Sequence, residues 1–322
     1  MPITPARVTG AVPATPLQPS EPSDSAARYA RAEKAARTLK AYESDLRGFA
    51  AWCSSTGAAF LPAETITVAN YIAALADRGC KASTIARHQA AIAFAHRRRG
   101  LDSPTGAETV KRTARGIRRT VGTAAKAKAP VTAKTLAAML RQIPDTLAGR
   151  RDKALLLIGF AAALRRSELV ALDVGDLERQ PEGIVLHIRS SKTDQEQAGH
   201  EVAVPRGTRL RPVEALDAWL DAAGIREGAV FRSVDKAGHV QSRRLTDRSV
   251  ADIVKHRAAA AKLDPKVFSG HSLRAGFVST ALAHGADIMR VMDQTRHRSV
   301  ETLKKYDRRA KAWDSHSGSK FL

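Results

Sequence analysis

The stretch Gly270-His271-Ser272-Leu273-Arg274 decides the reading, with His297 26 residues beyond His271 and Tyr306 nine beyond His297. His271 and Arg274 stand at i and i+3 in the first turn of an expected helix over 272–284, so they share a face. Upstream, Arg165 lies in Ala163-Leu164-Arg165-Arg166-Ser167-Glu168-Leu169, and Lys192 in Ser191-Lys192-Thr193. The set joins a phenol, two guanidiniums, two imidazoles and an ammonium. Cleaving a phosphodiester needs an in-line nucleophile, charge neutralisation on the phosphoryl oxygens and a proton for the departing alkoxide. These six side chains supply all three without a metal ion.

Taken singly, each residue has a plainer explanation. A tyrosine beside Val300 and Leu303 is ordinarily core, and a hairpin lysine is ordinarily solvated. An arginine that follows a buried helix is ordinarily a salt-bridge partner. Arg165 is preferred to Arg166 because it directly follows Leu164 and has Glu168 three residues on, where a carboxylate can hold it in place. Guanidinium binds two phosphate oxygens at once and keeps its charge at neutral pH. Tyrosine, with an unperturbed pKa near 10, needs neighbouring cations and a proton acceptor, for which His271 and Lys192 are candidates. His297 can donate to a phosphoryl oxygen, and Lys192 can protonate the leaving 5′ oxygen. Tyr29, Tyr42 and Tyr71 lack such a set and are read as core or surface. Asp173, Asp176 and Glu178 are the nearest approach to a carboxylate cluster; capping or solvated roles are expected for them, and no metal or cofactor.

Composition agrees with a polyanionic partner. Lys and Arg number 53 against 32 Asp and Glu, a formal charge of +21, which points first to nucleic acid. No run of eighteen apolar residues occurs, so no membrane span is expected. The first residues lack a secretory pattern. Cys53 and Cys80 sit in apolar helical patterns and read as buried thiols in a cytoplasmic protein.

The length suits two domains. Residues 1–24 carry Pro2, Pro5, Pro13, Pro16, Pro19 and Pro22 and read as a flexible leader. Residues 25–120 show four helical patterns: one capped by Thr38 with Leu39, Tyr42, Leu46, Phe49 and Cys53 inward, one from Thr67, one from Ser83, and one over 106–120. Short connections make a small bundle. Residues 121–130 form a linker. Residues 131–322 read as a second domain, mostly helical with a small antiparallel sheet. Thr132 caps its first helix, 151–163 is a buried helix, and Ser167 opens a short one. Ile184–Ile188 and Glu201–Val204 alternate as strands, leaving 189–200 as a hairpin connection. Helices follow over 213–223, 247–262, 272–284, 287–293 and 299–306.

With these residues in hand, the chain resembles the tyrosine recombinases, the phage integrase family. The run 163–169 is similar to that family's first arginine motif. Residues 270–274 resemble its histidine-x-x-arginine box, and 297–306 resemble its third motif and nucleophile. Lys192 fits its hairpin lysine. The sequence departs twice, with Ala163 and Arg296 where members usually have glycine. The resemblance implies a mainly α architecture: a SAM-like core-binding bundle, then a catalytic domain. It implies a site-specific recombinase in which Tyr306 forms a 3′-phosphotyrosine, without metal or ATP, and strands exchange through a Holliday junction. Implied partners are a double-stranded DNA recombination site and a homotetramer on two such sites, at the nucleoid, with accessory DNA-bending proteins as further candidates. A non-catalytic DNA-binding relative and a type IB topoisomerase-like enzyme remain alternatives.

Candidate DNA contacts in the first domain are Arg87, Arg97, Arg98, Arg99, Lys111, Arg112, Arg115, Arg118 and Arg119. The last five recur at i, i+1, i+4, i+7, i+8, one helix stripe. In the second domain Gln241, Arg243, Arg244 and Arg248 precede or open a helix and are candidates for phosphate or base edges. The tail carries Trp313, Phe321 and Leu322, which suit packing on its own domain or docking on a neighbour.

Overall fold

The computed structural model describes residues 25, 28, 29, 33–123, 128–189, 199–297, 299–301, 303 and 306. The expected leader, the hairpin tip with Lys192 and the tail beyond Tyr306 lie outside the described residues. The chain divides into two compact units, 1–125 and 126–322.

The first unit contains α1 (Ala36–Thr56), α2 (Thr65–Asp77), α3 (Ala82–Arg98), a 3-10 turn (Pro104–Gly106) and α4 (Glu108–Val121). Helical spacing of the apolar side chains builds its core: Phe49 and Cys53 from α1, Val68, Tyr71 and Ile72 from α2, Ile85 and Ile92 from α3, Val110 from α4. Helix α1 starts two residues before the expected Thr38 cap, with no side-chain cap at Ala35. It ends as expected at Gly57, whose left-handed backbone (φ 68) suits glycine.

One face of α1 holds a surprise. Asp45 is buried and accepts from both Nε (2.7 Å) and Nη2 (2.9 Å) of Arg87. His88 Nε2 lies 3.3 Å from Asp45, and His88 Nδ1 lies 3.0 Å from the Tyr71 hydroxyl. Burial pushes the Tyr71 phenol up to about 12. Tyr71 is therefore a core residue, as expected.

In the second unit, α5 (Ala133–Arg141) begins at Thr132, whose hydroxyl accepts the Thr135 N–H. Helix α6 (Leu147–Ala161) is buried continuously from Ala154 to Phe160, because it is apolar on every side. Helix α7 (Arg166–Ala171) follows, then β1 (Leu177–Gln180), β2 (Gly183–Ile188) and β3 (His200–Pro205). Strand β2 pairs antiparallel with both neighbours, for example Leu186 with Leu177 and with Val202. Next come α8 (Pro212–Ala222), the hairpin β4 (Arg232–Val234) and β5 (Val240–Arg244), α9 (Asp247–Ala260), α10 (Ser272–Ala283) and α11 (Ile288–Thr295). Residues 300, 301, 303 and 306 are helical.

Strand β1 and the β4–β5 hairpin are additions to the expected sheet. Helix α7 opens at Arg166, one residue before the expected Ser167. The reason is local: the Glu168 carboxylate accepts the backbone N–H of Arg165 at 2.9 Å and fixes the first turn there. The core gathers α6, α8, α9, α10 and the inner faces of β2 and β3 around Trp219, Phe231 and Leu155.

Candidate active site

Four segments bring the predicted site residues together: the α6–α7 junction, the start of α10, the end of α11 and the helical stretch holding Tyr306. Arg165 follows the end of α6. Its Nη1 donates to Glu168 Oε1 at 2.6 Å, and Glu168 is nearly fully buried. Arg274, in the first turn of α10, is 1% exposed. Its Nη1 donates to the Ala163 carbonyl at 2.7 Å, and its Nη2 to the Thr295 carbonyl. Those carbonyls belong to the ends of α6 and α11, so one guanidinium ties two helix C-termini together. A cation there meets the negative end of each dipole.

Both family departures fall at these same turns. Ala163 (φ 48) and Arg296 (φ 54) adopt the left-handed backbone that glycine enters freely. Arg296 caps α11 there and turns its side chain inward, where Nη2 donates to Glu168 Oε2 at 2.5 Å. Glu168 is thus bracketed by two guanidiniums. The sequence marked Arg296 only as a departure from glycine; its position next to His297 was the signal available.

Electrostatics follow from burial and crowding. Burial, with Arg165 and Arg296 nearby, lowers Arg274 to about 9. Burial also lowers His297 to about 4, reinforced by Arg274, Arg165, His271 and Arg296. His271, the N-cap of α10, is lowered by burial and then by Arg274, Arg165 and Arg166. Arg296 is lowered chiefly by burial. Three guanidiniums gather around one carboxylate, and burial is the chief cause of the lowered values.

Tyr306 completes the cluster. Its ring centroid lies 6.5 Å from that of His297. Leu303, one turn earlier, is buried with Val278, Leu282 and Val291, which anchors the tyrosine segment on α10 and α11. His297 Nδ1 lies 2.6 Å from the Thr295 hydroxyl, which is also 2.6 Å from the Val291 carbonyl. Five predicted residues, Arg165, His271, Arg274, His297 and Tyr306, therefore converge, with Glu168 beneath them. Lys192 lies outside the described residues. At the root of its hairpin, Arg189 pairs with Asp173 (2.5 Å) and Asp176 (2.7 Å). Asp176 also caps the backbone N–H of Asp173, the capping role expected for it. Arg166 instead pairs with Asp247 at 3.2 Å.

The predicted DNA contacts divide by what their side chains already hold. Lys111, Arg112, Arg118 and Arg119 are exposed along α4, and Arg97, Arg98 and Arg99 are exposed where α3 ends. Arg98 lies over the Phe94 ring. Arg115 pairs with Glu108, and Arg87 is forked onto Asp45. In the second unit Arg243 is exposed, Gln241 donates to Asp235 at 2.9 Å, and Arg248 lies 3.7 Å from Asp252. Arg244 turns inward, donating to the Val170 and Leu172 carbonyls and to Asp173; it braces the strand.

Among the described residues no cluster of three or more His, Cys, Asp or Glu is arranged to hold a metal. No helix among them is long and apolar enough to cross a membrane.

Residues 130–312 match the model of the phage integrase family, and residues 27–97 match that of the phage integrase N-terminal SAM-like domain. The chain is 39% identical over 279 residues to an integrase/recombinase XerD homolog of Selenomonas ruminantium, covering 85% of this chain and 82% of that protein. It is 27% identical over 301 residues to recombinase Cre of Escherichia phage P1, covering 88% and 86%. Among solved structures, a lambda integrase dimer bound to a COC′ core site superposes with a TM-score of 0.60 at 15% identity, over 87% of this chain and 92% of that one. XerH recombinase bound to palindromic difH in a post-cleavage complex gives 0.59 at 16% identity, over 77% and 70%. At these identities the two structures speak for the fold alone.

Proposed function

Since the chain belongs to the phage integrase family of tyrosine-type site-specific recombinases, we propose that Tyr306 is its nucleophile on a DNA phosphodiester. The phenolic oxygen attacks phosphorus, the bond to the 5′ oxygen breaks, and a 3′-phosphotyrosine and a 5′-hydroxyl result. His271 or Lys192 takes the phenolic proton, and Lys192 protonates the leaving oxygen. Arg165, Arg274 and His297 meet the charge on the non-bridging oxygens. The phosphotyrosine conserves the bond energy, so a 5′-hydroxyl from a partner strand can displace the phenol without ATP. Repeated on two sites within a tetramer, the exchange passes through a Holliday junction.

The observation that carries this reading is the convergence of Arg165, His271, Arg274, His297 and Tyr306 from four separate segments. An entering phosphate would bring negative charge to guanidiniums that burial and mutual repulsion leave poorly compensated. In this proposal the first unit, residues 25–120, is a DNA-binding domain joined through 121–130 to the catalytic unit. The exposed stripe of α4 and the basic end of α3 supply its phosphate contacts.

The test begins by selecting a bound sequence from a randomised duplex library with the full chain. A nicked suicide duplex carrying that sequence should trap a covalent protein–DNA adduct, absent in Tyr306→Phe. Binding without any adduct would assign the chain to the non-catalytic relatives. Supercoil relaxation with no sequence preference would assign it to the topoisomerase-like alternative.

A further inference from the structure

Arg296 is costly where it stands. A side chain larger than hydrogen in the left-handed region costs about 1–2 kcal/mol, and glycine would remove that cost. The guanidinium is also buried, with 6% of its side chain exposed, and burial lowers its pKa. One of its nitrogens, Nη2, is satisfied by Glu168. The other two, Nε and Nη1, are buried and have no hydrogen-bond partner among the described residues. A buried donor left unmet costs about 1–3 kcal/mol.

Neutralising Glu168 does not account for this arrangement. That carboxylate already has the Arg165 guanidinium on Oε1 and the Arg165 backbone N–H on Oε2. A second guanidinium leaves the cluster with surplus positive charge, felt by Arg274 and by His297. Two unmet donors on a cation, beside Arg165 and Arg274, suit an anionic oxygen.

We propose that Arg296 is a third phosphate-facing guanidinium of the site, whose open Nε or Nη1 takes a non-bridging oxygen of the scissile phosphate. It adds a contact that glycine at this position cannot make. Charge held by Glu168 on one side keeps Arg296 oriented, and the remaining donors serve the reaction.

The inference rests on the strand-transfer reading, and its test keeps the two apart. Wild type, Arg296→Gly, Arg296→Met and Arg296→Lys are compared on the selected nicked suicide duplex under single-turnover conditions. They are then compared on the same duplex with a methylphosphonate at the scissile position, which removes the negative charge. Gly and Met should slow adduct formation at least tenfold on the phosphodiester, with DNA affinity within about twofold and Lys intermediate. On the methylphosphonate their deficit should shrink below threefold, a rescue that a purely structural role does not produce. A Gly variant as fast as wild type overturns the proposal, as does an equal deficit on both duplexes. If Met fails to fold, Gly decides alone, since it suits the backbone at that turn. A wild-type chain that binds the duplex and forms no adduct overturns both this proposal and the reading beneath it.

Discussion

Arg274 Nη1 donates to the Ala163 carbonyl at 2.7 Å, across 111 positions of sequence. The bond couples the histidine-x-x-arginine helix to the turn that presents Arg165. With its Nη2 on Thr295, the same side chain reaches the turn that presents Arg296 and His297. Arg274 is therefore held by the backbone of the two turns that present Arg165, Arg296 and His297, and a change at Arg274 is felt at those three corners.

Arg274→Lys keeps the charge and loses the planar fork. One ammonium cannot serve both carbonyls and a phosphate. Adduct formation on the selected duplex should fall by roughly a hundredfold, in the range seen when one transition-state donor is removed. Urea unfolding should show a loss of about 1–3 kcal/mol from the unmet carbonyl. A lysine variant that cleaves at the wild-type rate would remove Arg274 from the charge clamp.

Thr295 has one hydroxyl proton and two near acceptors competing for it at 2.6 Å, the Val291 carbonyl and His297 Nδ1, with the Met292 carbonyl farther off at 3.4 Å. Giving it to Val291 obliges His297 Nδ1 to donate, which leaves Nε2 as an acceptor. Giving it to His297 makes Nε2 a donor toward a phosphoryl oxygen. Either way the hydroxyl selects the tautomer of His297. Thr295→Val, close to isosteric, should slow cleavage about tenfold, in line with losing one oriented acid–base group. Its pH–rate profile should also move. An unshifted profile would show that Thr295 only packs.

Much of this was legible in the residues themselves. Ala154 to Phe160 reads as a buried helix because it is apolar all round, and it is buried. Strands β2 and β3 alternate visibly because one face meets the core. Strand β1 does not, because three of its four residues, Glu178, Arg179 and Gln180, are exposed and carry no period. The β4–β5 hairpin shows no alternation either: β4 is half-buried throughout, and the middle of β5 is exposed. In the site, His271, Arg274, His297 and Tyr306 could be ordered by spacing. The pairing of Arg296 with Glu168 could not, since the partners lie 128 positions apart. Charge counts also do not reveal that Arg87 is paired with the buried Asp45 or Arg244 with Asp173.

Acid should loosen the catalytic unit. His297 titrates at about 4 when folded and near 6.5 when unfolded. Between those values the unfolded chain holds the extra proton, so stability rises with pH there. The contribution is fully present above about pH 6.5 and is lost as pH falls toward 4; His271 acts in the same direction. His297→Gln should flatten the change in urea midpoint between pH 7 and pH 5. An equally steep change in the variant would place the acid sensitivity elsewhere.

Binding to DNA should be steeply salt-dependent. Lys111, Arg112, Arg118 and Arg119 are exposed on α4 and hold charges available to phosphates. Each lost phosphate contact should lower the slope of log affinity against log salt by about 0.9. Replacing all four with alanine should cut the slope by more than two while leaving sequence preference intact. Nearly flat binding between low and physiological salt in the wild type would exclude this helix as a phosphate contact.

Gly276 offers a test of how α10 is seated. An added Cβ would lie 1.7 Å from the Val131 carbonyl oxygen, a backbone atom that cannot step aside. The segment before α5 is bound there, with Val131 N–H donating to the Ser272 carbonyl at 2.8 Å. Gly276→Ala must therefore push α10, and Arg274 with it, away from the chain entering the unit. A loss on the order of 3 kcal/mol is expected, at the upper end for overpacking, together with a cleavage defect. Gly116, on α4, has open space around its Cβ position and sits inside a helix, where alanine is favoured by about 1 kcal/mol. Gly116→Ala should stabilise its unit while Gly276→Ala unfolds the other at lower urea. If both glycines tolerate alanine equally, the close approach of α10 to Val131 is not what holds the catalytic unit together.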